Sequence, residues 1–197
     1  YLEIASELAV ADRDTARKRG KHRGFGISAY METSTGAPRE RTEMTVRSDG
    51  MVDVVIGTLS SGQGHETSFA QLVTDWLGVP FDAVNLITGD TDVVEVGGGS
   101  HSGRSMRLAG IIMGKASDEI IAKGKAIAAH TMEAAEADIS FDDGRFTVTG
   151  TDRSVGLFEV ASVAEEDTSL PADLQGALGA ICDETIRIPA YPFGCHV

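Results

Sequence analysis

The residues best suited to chemistry lie in a short glycine-rich segment between a predicted strand and a predicted helix. The segment reads Ser61-Gly62-Gln63-Gly64-His65. Unpaired N–H groups at a helix start, together with the turns that glycine permits, can form a cradle for an anion. The side-chain amide of Gln63 adds one donor group and one acceptor. The alternative is structural: the glycines only permit a sharp turn, and Ser60 or Ser61 caps the helix. A bare Gly-x-Gly pattern leaves both interpretations open.

A second glycine-rich segment precedes the longest predicted helix and has a similar composition. It contains Gly97, Gly98, Gly99, Ser100, His101, Ser102, Gly103, Arg104 and Ser105. The planar guanidinium of Arg104 can donate two parallel hydrogen bonds, which suits a phosphate group. Two such segments in one fold could converge on a single elongated ligand that carries phosphate. The alternative is a mobile surface loop with Arg104 in solvent.

Other familiar chemistries are poorly supported by the spacing. Neither Gly24-Phe25-Gly26 nor the first segment has the third glycine of a dinucleotide-binding turn, and no Walker lysine follows either. His101 stands where a hydrolase nucleophile elbow requires serine. The five histidines lack the spacing of a zinc protease helix. Turn or cap roles are favoured for four aspartates that could otherwise hold a divalent cation: Asp90, Asp92, Asp142 and Asp143.

Composition and charge exclude several classes of partner. The 197 residues include 30 acidic and 17 basic side chains, a net charge of -13, which repels phosphate backbones and anionic lipid surfaces. No apolar run reaches the length of a spanning helix. Cys182 and Cys195 match no zinc or disulfide pattern, so reduced thiols in a cytoplasmic protein are expected. Cys195, in an apolar strand, is expected to be buried.

Hydrophobic periodicity and turn residues predict an α+β fold with helices packed on a mixed or antiparallel sheet. The expected helices begin at residue 2 and span 69–77, 106–135 and 157–164, and the last of them is expected to be capped by Thr151, Asp152 or Ser154. Strands are expected over 24–32, 83–88 and 186–197, and a loop over 167–180. Hairpins are expected over 42–59, with the turn at Ser48-Asp49-Gly50, and over 139–148. The close approach of another backbone is expected to compensate for Gly110, Gly114 and Gly124 inside the long helix.

The chain is expected to divide into three parts. These are an N-terminal helix and linker over 1–23, a cofactor-binding α/β unit over 24–135 with both glycine-rich segments, and a region over 136–197 with a hairpin, a short helix and a last strand. The chain starts at Tyr1, and its last apolar segment stops in mid-pattern at Val197. Both ends predict a portion of a larger subunit.

Four segments of the chain occur in an order and spacing that one enzyme family shares. They are residues 57–67 (GTLSSGQGHET), 89–92 (GDTD), 97–106 (GGGSHSGRSM) and 186–197 (IRIPAYPFGCHV). Together they resemble the molybdopterin-binding large subunit of the xanthine dehydrogenase, aldehyde oxidase and aerobic carbon monoxide dehydrogenase family. One departure is Ser61, where many relatives have glutamine.

The resemblance implies a cofactor and the residues that hold it. The cofactor is molybdopterin with molybdenum, in the cytosine dinucleotide form found in many bacterial members. The residues implied at the first segment are Gly62, Gln63, Gly64 and His65, and those at the second are Ser100, Ser102, Gly103, Arg104 and Ser105. The resemblance assigns no catalytic residue and no metal ligand to this chain.

The resemblance also implies a reaction and partners. The family hydroxylates aldehydes or N-heterocycles, or oxidises carbon monoxide, with oxygen from water and electrons passed to iron-sulfur and FAD subunits. Its general-base glutamate is expected outside this sequence, so the chain alone is predicted to have no turnover. Surface that the rest of the subunit would cover could also make the chain a homodimer.

Two other classes of function remain open on the sequence. One is a non-catalytic module that binds a nucleotide or a phosphorylated metabolite through the same segments. The other is a structural domain whose glycines serve only turns.

Overall fold

The computed structural model describes residues 2–32, 36–187 and 191–196. The helices and strands, in chain order, are α1 (Leu2–Lys18), β1 (Ser28–Met31), β2 (Arg39–Val46), β3 (Val52–Ile56), α2 (His65–Leu77), β4 (Val84–Ile87), α3 (Arg104–Thr131), β5 (Ile139–Asp142), β6 (Arg145–Val148), β7 (Ser154–Gly156), α4 (Leu157–Glu166), β8 (Leu178–Thr185) and β9 (Phe193–His196). Short 3-10 turns at Phe81–Ala83 and Glu136–Asp138 precede β4 and β5. Among the described residues, none of the helices combines the length and the apolar composition that a transmembrane span needs.

The described residues form two compact units. The described residues of 1–34 and 189–197 form the first unit, and those of 35–188 form the second. The predicted boundary between 135 and 136 falls inside the second unit, because the hairpin of β5 and β6 packs on α3. The predicted boundary between 23 and 24 falls inside the first.

The first unit contains α1 and a two-stranded antiparallel ribbon of β1 and β9. Ser28 pairs with His196, and Met31 pairs with Phe193. The rings of Tyr30 and His196 stack with centroids 5.2 Å apart, which stabilises this register. The expected strands over 24–32 and 186–197 are therefore shorter than predicted, and residues 188–190 and 197 lie outside the described ones.

The main sheet of the second unit has the strand order β4-β3-β2-β8. β3 and β4 run parallel, whereas β2 is antiparallel to β3 and to β8. The sheet is therefore mixed, and the prediction of helices packed on a mixed or antiparallel sheet is confirmed. Alternating side chains of β2 and β3 point into the core because successive residues of a strand face opposite sides. The central helix α3 packs on β2 and β8, and α2 packs on α3. Fully buried residues of this core include Met44, Val54, Phe69, Leu108, Ile112 and Ile120.

Strand β8 replaces the end of the predicted loop over 167–180. It pairs with β2 along its whole length, from Leu178 opposite Val46 to Thr185 opposite Arg39. Its sequence, with Gly179 and two acidic residues, has weak strand propensity. Gly179 lies against β2, where an added Cβ would come within 2.6 Å of the Met44 carbonyl oxygen. Pairing with a distant strand, rather than local propensity, decides this element.

The glycines of α3 face side chains, which corrects the expectation of backbone contacts. A Cβ added at Gly110 would have only the Leu72 side chain within 4 Å, and one added at Gly114 would meet the Trp76 ring. Gly124 leaves room for the Phe146 ring, which is fully buried between α3 and the small sheet of β5, β6 and β7. Missing side chains on α3 thus make space for aromatic and aliphatic groups.

The cap of α4 also differs from the prediction. The helix begins after Gly156, and not at Thr151, Asp152 or Ser154. The backbone N–H of Gly156 donates to the Glu159 carboxylate at 2.7 Å. Glu159 therefore fixes the start of the helix from its own first turn, a role that glutamate takes in capping boxes.

The glycine contacts predict opposite effects of alanine at two positions of α3. We expect Gly124→Ala to lower the free energy of unfolding by roughly 1 kcal/mol, because the added Cβ displaces the Phe146 ring. Gly110→Ala is the matched control and should raise this free energy by about 0.5 to 1 kcal/mol through helix propensity. Urea denaturation followed by Trp76 fluorescence measures both. Equal effects of the two substitutions would contradict the packing argument.

The two cysteines differ in exposure, and the prediction that Cys195 is buried is wrong. Cys195 lies on β9 of the two-stranded ribbon and is exposed. Cys182 on β8 is buried. Burial raises the pKa of the Cys182 thiol to about 11, and the nearby Glu119 carboxylate acts in the same direction.

These environments predict selective alkylation. At pH 8, iodoacetamide should modify Cys195 roughly a hundredfold faster than Cys182, since only the thiolate reacts and burial restricts access. Between pH 8 and pH 10 the Cys182 rate should rise about tenfold per pH unit, because its pKa lies above this range. Mass spectrometry of labelled peptides, with Cys195→Ser as the control, measures both rates. Rapid labelling of Cys182 at pH 8 would contradict its buried position.

Candidate functional site

The first glycine-rich loop, residues 57–64, connects β3 to α2. Gly62 and Gly64 have φ angles of 108° and 78°, a left-handed conformation that glycine adopts readily. A Cβ on either glycine would meet no other atom within 4 Å, so both backbones face open space. The Ser60 hydroxyl accepts hydrogen bonds from the N–H groups of Gly64 at 3.2 Å and His65 at 3.5 Å. The sharp turn of the structural alternative is present, but the N-cap residue of α2 is Gly64 and not Ser60 or Ser61. The loop also leaves its glycines accessible.

The second loop, residues 97–103, leads directly into α3. Gly99, Ser102 and Gly103 have φ angles of 74°, 50° and 62°. Gly103 is the N-cap residue of α3, and Gly64 is the N-cap residue of α2. Neither N-cap position supplies a side-chain hydrogen bond to its helix. Both helices therefore begin at a left-handed glycine, where first-turn N–H groups are partial positive charges.

The two loops meet through hydrogen bonds between their side chains. The Gln63 side-chain N–H donates to the Ser100 hydroxyl. The side-chain carbonyl oxygen of Gln63 accepts the backbone N–H of Ser61 at 2.6 Å. The Ser105 hydroxyl donates to Ser100 Oγ at 3.0 Å. The predicted convergence of the two segments is thus present in the structure. It brings the starts of α2 and α3 together around a cluster of neutral donors.

Arg104 occupies a position that differs from both expectations for it. Its side chain is 1% exposed and forms an ion pair with Glu40, with Nη1 2.8 Å from Oε2. The Glu40 side chain is 0% exposed. The guanidinium also donates to the carbonyl oxygens of Ala37 at 2.9 Å, Arg39 at 3.0 Å and Gly99 at 2.5 Å. Arg104 is neither in solvent nor at the surface of the loop, because its donors face inward to protein acceptors.

His65 is also directed into the protein. It is 5% exposed, and its Nδ1 atom lies 3.0 Å from the Thr58 carbonyl oxygen. Its ring stacks on Phe69 with centroids 4.6 Å apart. The contact between His65 and Thr58 therefore joins the end of the first loop to the beginning of the same loop, close to the end of β3. The neighbouring Thr58 hydroxyl is buried and has no hydrogen-bond partner in the part of the chain that the structure describes.

Glu40 is the important residue that the sequence analysis missed. It lies on β2 in the inward register with Thr42, Met44 and Val46, all of which are 0% exposed. Strand alternation alone places these four positions on one face. A carboxylate on the apolar face of a strand requires a buried cation or several donors. That pattern could have revealed Glu40, although not which cation pairs with it.

The remaining candidates have local roles. Ser102 Oγ lies 3.2 Å from His101 Nδ1, and His101 Nε2 lies 3.1 Å from the Gly98 carbonyl oxygen. Asp90 accepts the Asp92 N–H at 2.9 Å, as in an aspartate-stabilised turn. Within residues 2–32, 36–187 and 191–196, no group of three His, Cys, Asp or Glu residues could hold a metal ion.

The geometry favours recognition of an anion by uncharged donors. Backbone N–H groups at two helix starts, the Gln63 amide and the serine hydroxyls are near one another, whereas the charge of Arg104 is matched internally by Glu40. Open space above Gly62, Gly64 and Gly99 allows a ligand to approach the backbone closely. Such an arrangement fits a bound anionic group.

Known proteins of similar sequence are named for oxidation reactions. The chain is 32% identical over 210 residues to the carbon monoxide dehydrogenase large chain of Afipia carboxidovorans, covering 100% of this chain and 26% of that one. It is 33% identical over 170 residues to the nicotine 6-hydroxylase large subunit of Paenarthrobacter nicotinovorans, covering 80% and 21%. The chain thus spans about a quarter of the length of these relatives.

Solved structures show the same likeness. The reconstituted CO dehydrogenase from Oligotropha carboxidovorans superposes with a TM-score of 0.78 at 32% identity, covering 99% of this chain and 26% of that one. Quinoline 2-oxidoreductase from Pseudomonas putida 86 superposes with a TM-score of 0.74 at 29% identity, covering 98% and 26%. The family model for the molybdopterin cofactor-binding domain matches residues 3–197. The chain therefore belongs to the molybdopterin cofactor-binding domain family.

Proposed function

We propose that this chain holds a molybdopterin cofactor within the large subunit of a molybdenum hydroxylase, and that its two glycine-rich loops form the binding surface. The observation that carries the proposal is the Gln63–Ser100 hydrogen bond, which joins the loops at the starts of α2 and α3. Family membership supplies the cofactor, and the loop geometry supplies the place for its anionic groups.

The candidate residues divide into direct and indirect contributors. Gly62 and Gly64 let the cofactor approach the backbone, because a Cβ on either would meet no atom within 4 Å. Gly103 contributes the left-handed start of α3. The side-chain donors are Gln63, Ser100 and Ser102, whereas the buried Ser105 hydroxyl donates to Ser100 Oγ and contributes through it. His65 and Arg104 contribute indirectly, since their side chains bind the strand and loop backbones beneath the surface.

The same geometry supports one particular form of the cofactor, the cytosine dinucleotide form. A cytosine dinucleotide adds a pyrophosphate to the pterin, and two helix N-termini side by side suit two linked phosphate groups. When bound, the molybdenum centre supplies an oxidation in which water provides the oxygen atom. The residues of this chain bind and orient the cofactor.

The substrate and partners are inferred from the relatives. Their names include carbon monoxide dehydrogenase and nicotine 6-hydroxylase, so the proposed substrate is a small molecule such as an aldehyde, an N-heterocycle or carbon monoxide. Another relative is named as subunit gamma of a dehydrogenase complex. We therefore propose iron-sulfur and FAD subunits as the partners that remove electrons.

Loss of the bridging amide tests the proposal. In the protein that carries this chain, purified with its co-purifying subunits, we expect Gln63→Ala to bind the cofactor about 10- to 100-fold more weakly. Removing a hydrogen bond to a charged group costs about 1.5 to 3 kcal/mol. Molybdenum by elemental analysis and cytidine monophosphate after acid hydrolysis, both measured after dialysis, report retention.

Gln71→Ala is the matched control, because Gln71 is an exposed glutamine in the middle of α2 and not in the first loop. It should retain molybdenum and nucleotide at the wild-type level. A folded wild-type protein without either component would contradict the proposed function. Full retention by Gln63→Ala would instead remove the first loop from the binding surface.

A further inference from the structure

The buried ion pair of Glu40 and Arg104 lies beneath both loops. Arg104 is the first residue of α3, and Glu40 is on β2, far earlier in the sequence. Both side chains are almost completely removed from water, at 1% and 0% exposure. Such a pair is costly to bury, so it persists only where its geometry and extra hydrogen bonds compensate for the lost hydration.

Arg104 connects the second loop to the segment before β2. Its Nη1 group donates to the Gly99 carbonyl oxygen, whereas Nε and Nη2 donate to those of Ala37 and Arg39. The guanidinium also lies against Gly98, where an added Cβ would come within 2.8 Å of Nη1. One side chain thus binds two separate stretches of backbone, at residues 37–39 and at residues 98–99.

Glu40 connects the same place to the first loop. Its Oε2 atom accepts the Gly98 N–H at 3.4 Å in addition to the contact with Arg104. Its Oε1 atom lies 2.9 Å from where a Cβ on Gly57 would be. Gly57, at the start of the first loop, packs directly on the Gly97 backbone of the second loop. The carboxylate therefore lies beneath the contact between the two loops.

We propose that the Glu40–Arg104 pair is the positioning device of the cofactor site: it sets the geometry of both loops, and Arg104 acts on the cofactor only through the backbone that it holds. The part of this inference that concerns cofactor retention rests on the proposed function. The part that concerns loop geometry does not, because it follows from contacts within the chain.

The charge state of the pair distinguishes positioning from direct binding. Glu40→Gln keeps the side-chain size but removes the negative charge that holds Arg104. If Arg104 positions the loops, both loops loosen and bound cofactor is released faster. If Arg104 instead binds the cofactor phosphate directly, its freed cation should hold the cofactor as well as, or better than, the wild-type protein does.

Two measurements on Glu40→Gln test the inference. The first is amide hydrogen exchange of the cofactor-free protein, in peptides that cover residues 57–65 and 97–105. We expect exchange at least about tenfold faster in both peptides, with the wild-type rate in α4. The second is the rate of molybdenum release from the loaded protein under the same conditions, which should rise by a similar factor.

Asp183→Asn is the matched control, since it breaks the exposed Arg39–Asp183 pair in the same sheet. It should leave loop exchange and molybdenum release unchanged. If Glu40→Gln does not fold, Arg104→Lys serves in the same two measurements, because lysine keeps the charge but not the three carbonyl contacts.

The outcomes separate the two proposals. Wild-type exchange in both loops, or molybdenum release no faster than in the wild-type protein, would overturn the positioning role. Faster exchange in α4 to the same extent as in the loops would overturn it too, because the pair would then support the whole unit. A wild-type protein without molybdenum would overturn the proposed function, while the exchange experiment would still decide the role of the pair in the loops.

Discussion

The arrangement of the candidate site depends on one interaction, the ion pair of Glu40 and Arg104 inside the second unit. A carboxylate and a guanidinium that are withheld from water attract each other strongly, and either one alone would be highly unfavourable there. The pair gains further from the carbonyl oxygens that surround the guanidinium. Its position therefore couples the start of β2, the second loop and the first turn of α3.

The sheet and the long helix provide the frame in which this pair can form. β2 is a central strand, held by β3 on one side and by β8 on the other, so Glu40 has little freedom to move. α3 crosses β2 and β8, and its start brings Arg104 to the same point. Gly57 and Gly97 allow the two loop backbones to touch, since any side chain there would collide. The rigid elements thus hold flexible backbone in a defined place, as binding sites require.

The internal neutralisation of Arg104 has a chemical consequence for the site. The donors left around Gln63 and Ser100 are amides, hydroxyls and backbone N–H groups, which carry no formal charge. Neutral donors in fixed positions recognise an anion by shape and direction more than by net charge. This suits a chain with a net charge of -13, whose overall field would not attract anions from a distance.

The sequence by itself determined the local elements and the family, whereas tertiary structure decided which side chains meet. Both hairpins and the positions of the two loops follow from turn residues and periodicity over short distances. The helix starts at Gly64 and Gly103 lie before the predicted starts at residues 69 and 106. The order of four motifs along the chain was enough to indicate the family. Strand β8, the exposure of Cys195, the aromatic neighbours of the α3 glycines and the partner of Arg104 were missed or wrong. Each of these depends on residues far apart in the sequence, such as Glu40 and Arg104. A local sequence pattern does not indicate which distant groups come into contact when the chain folds.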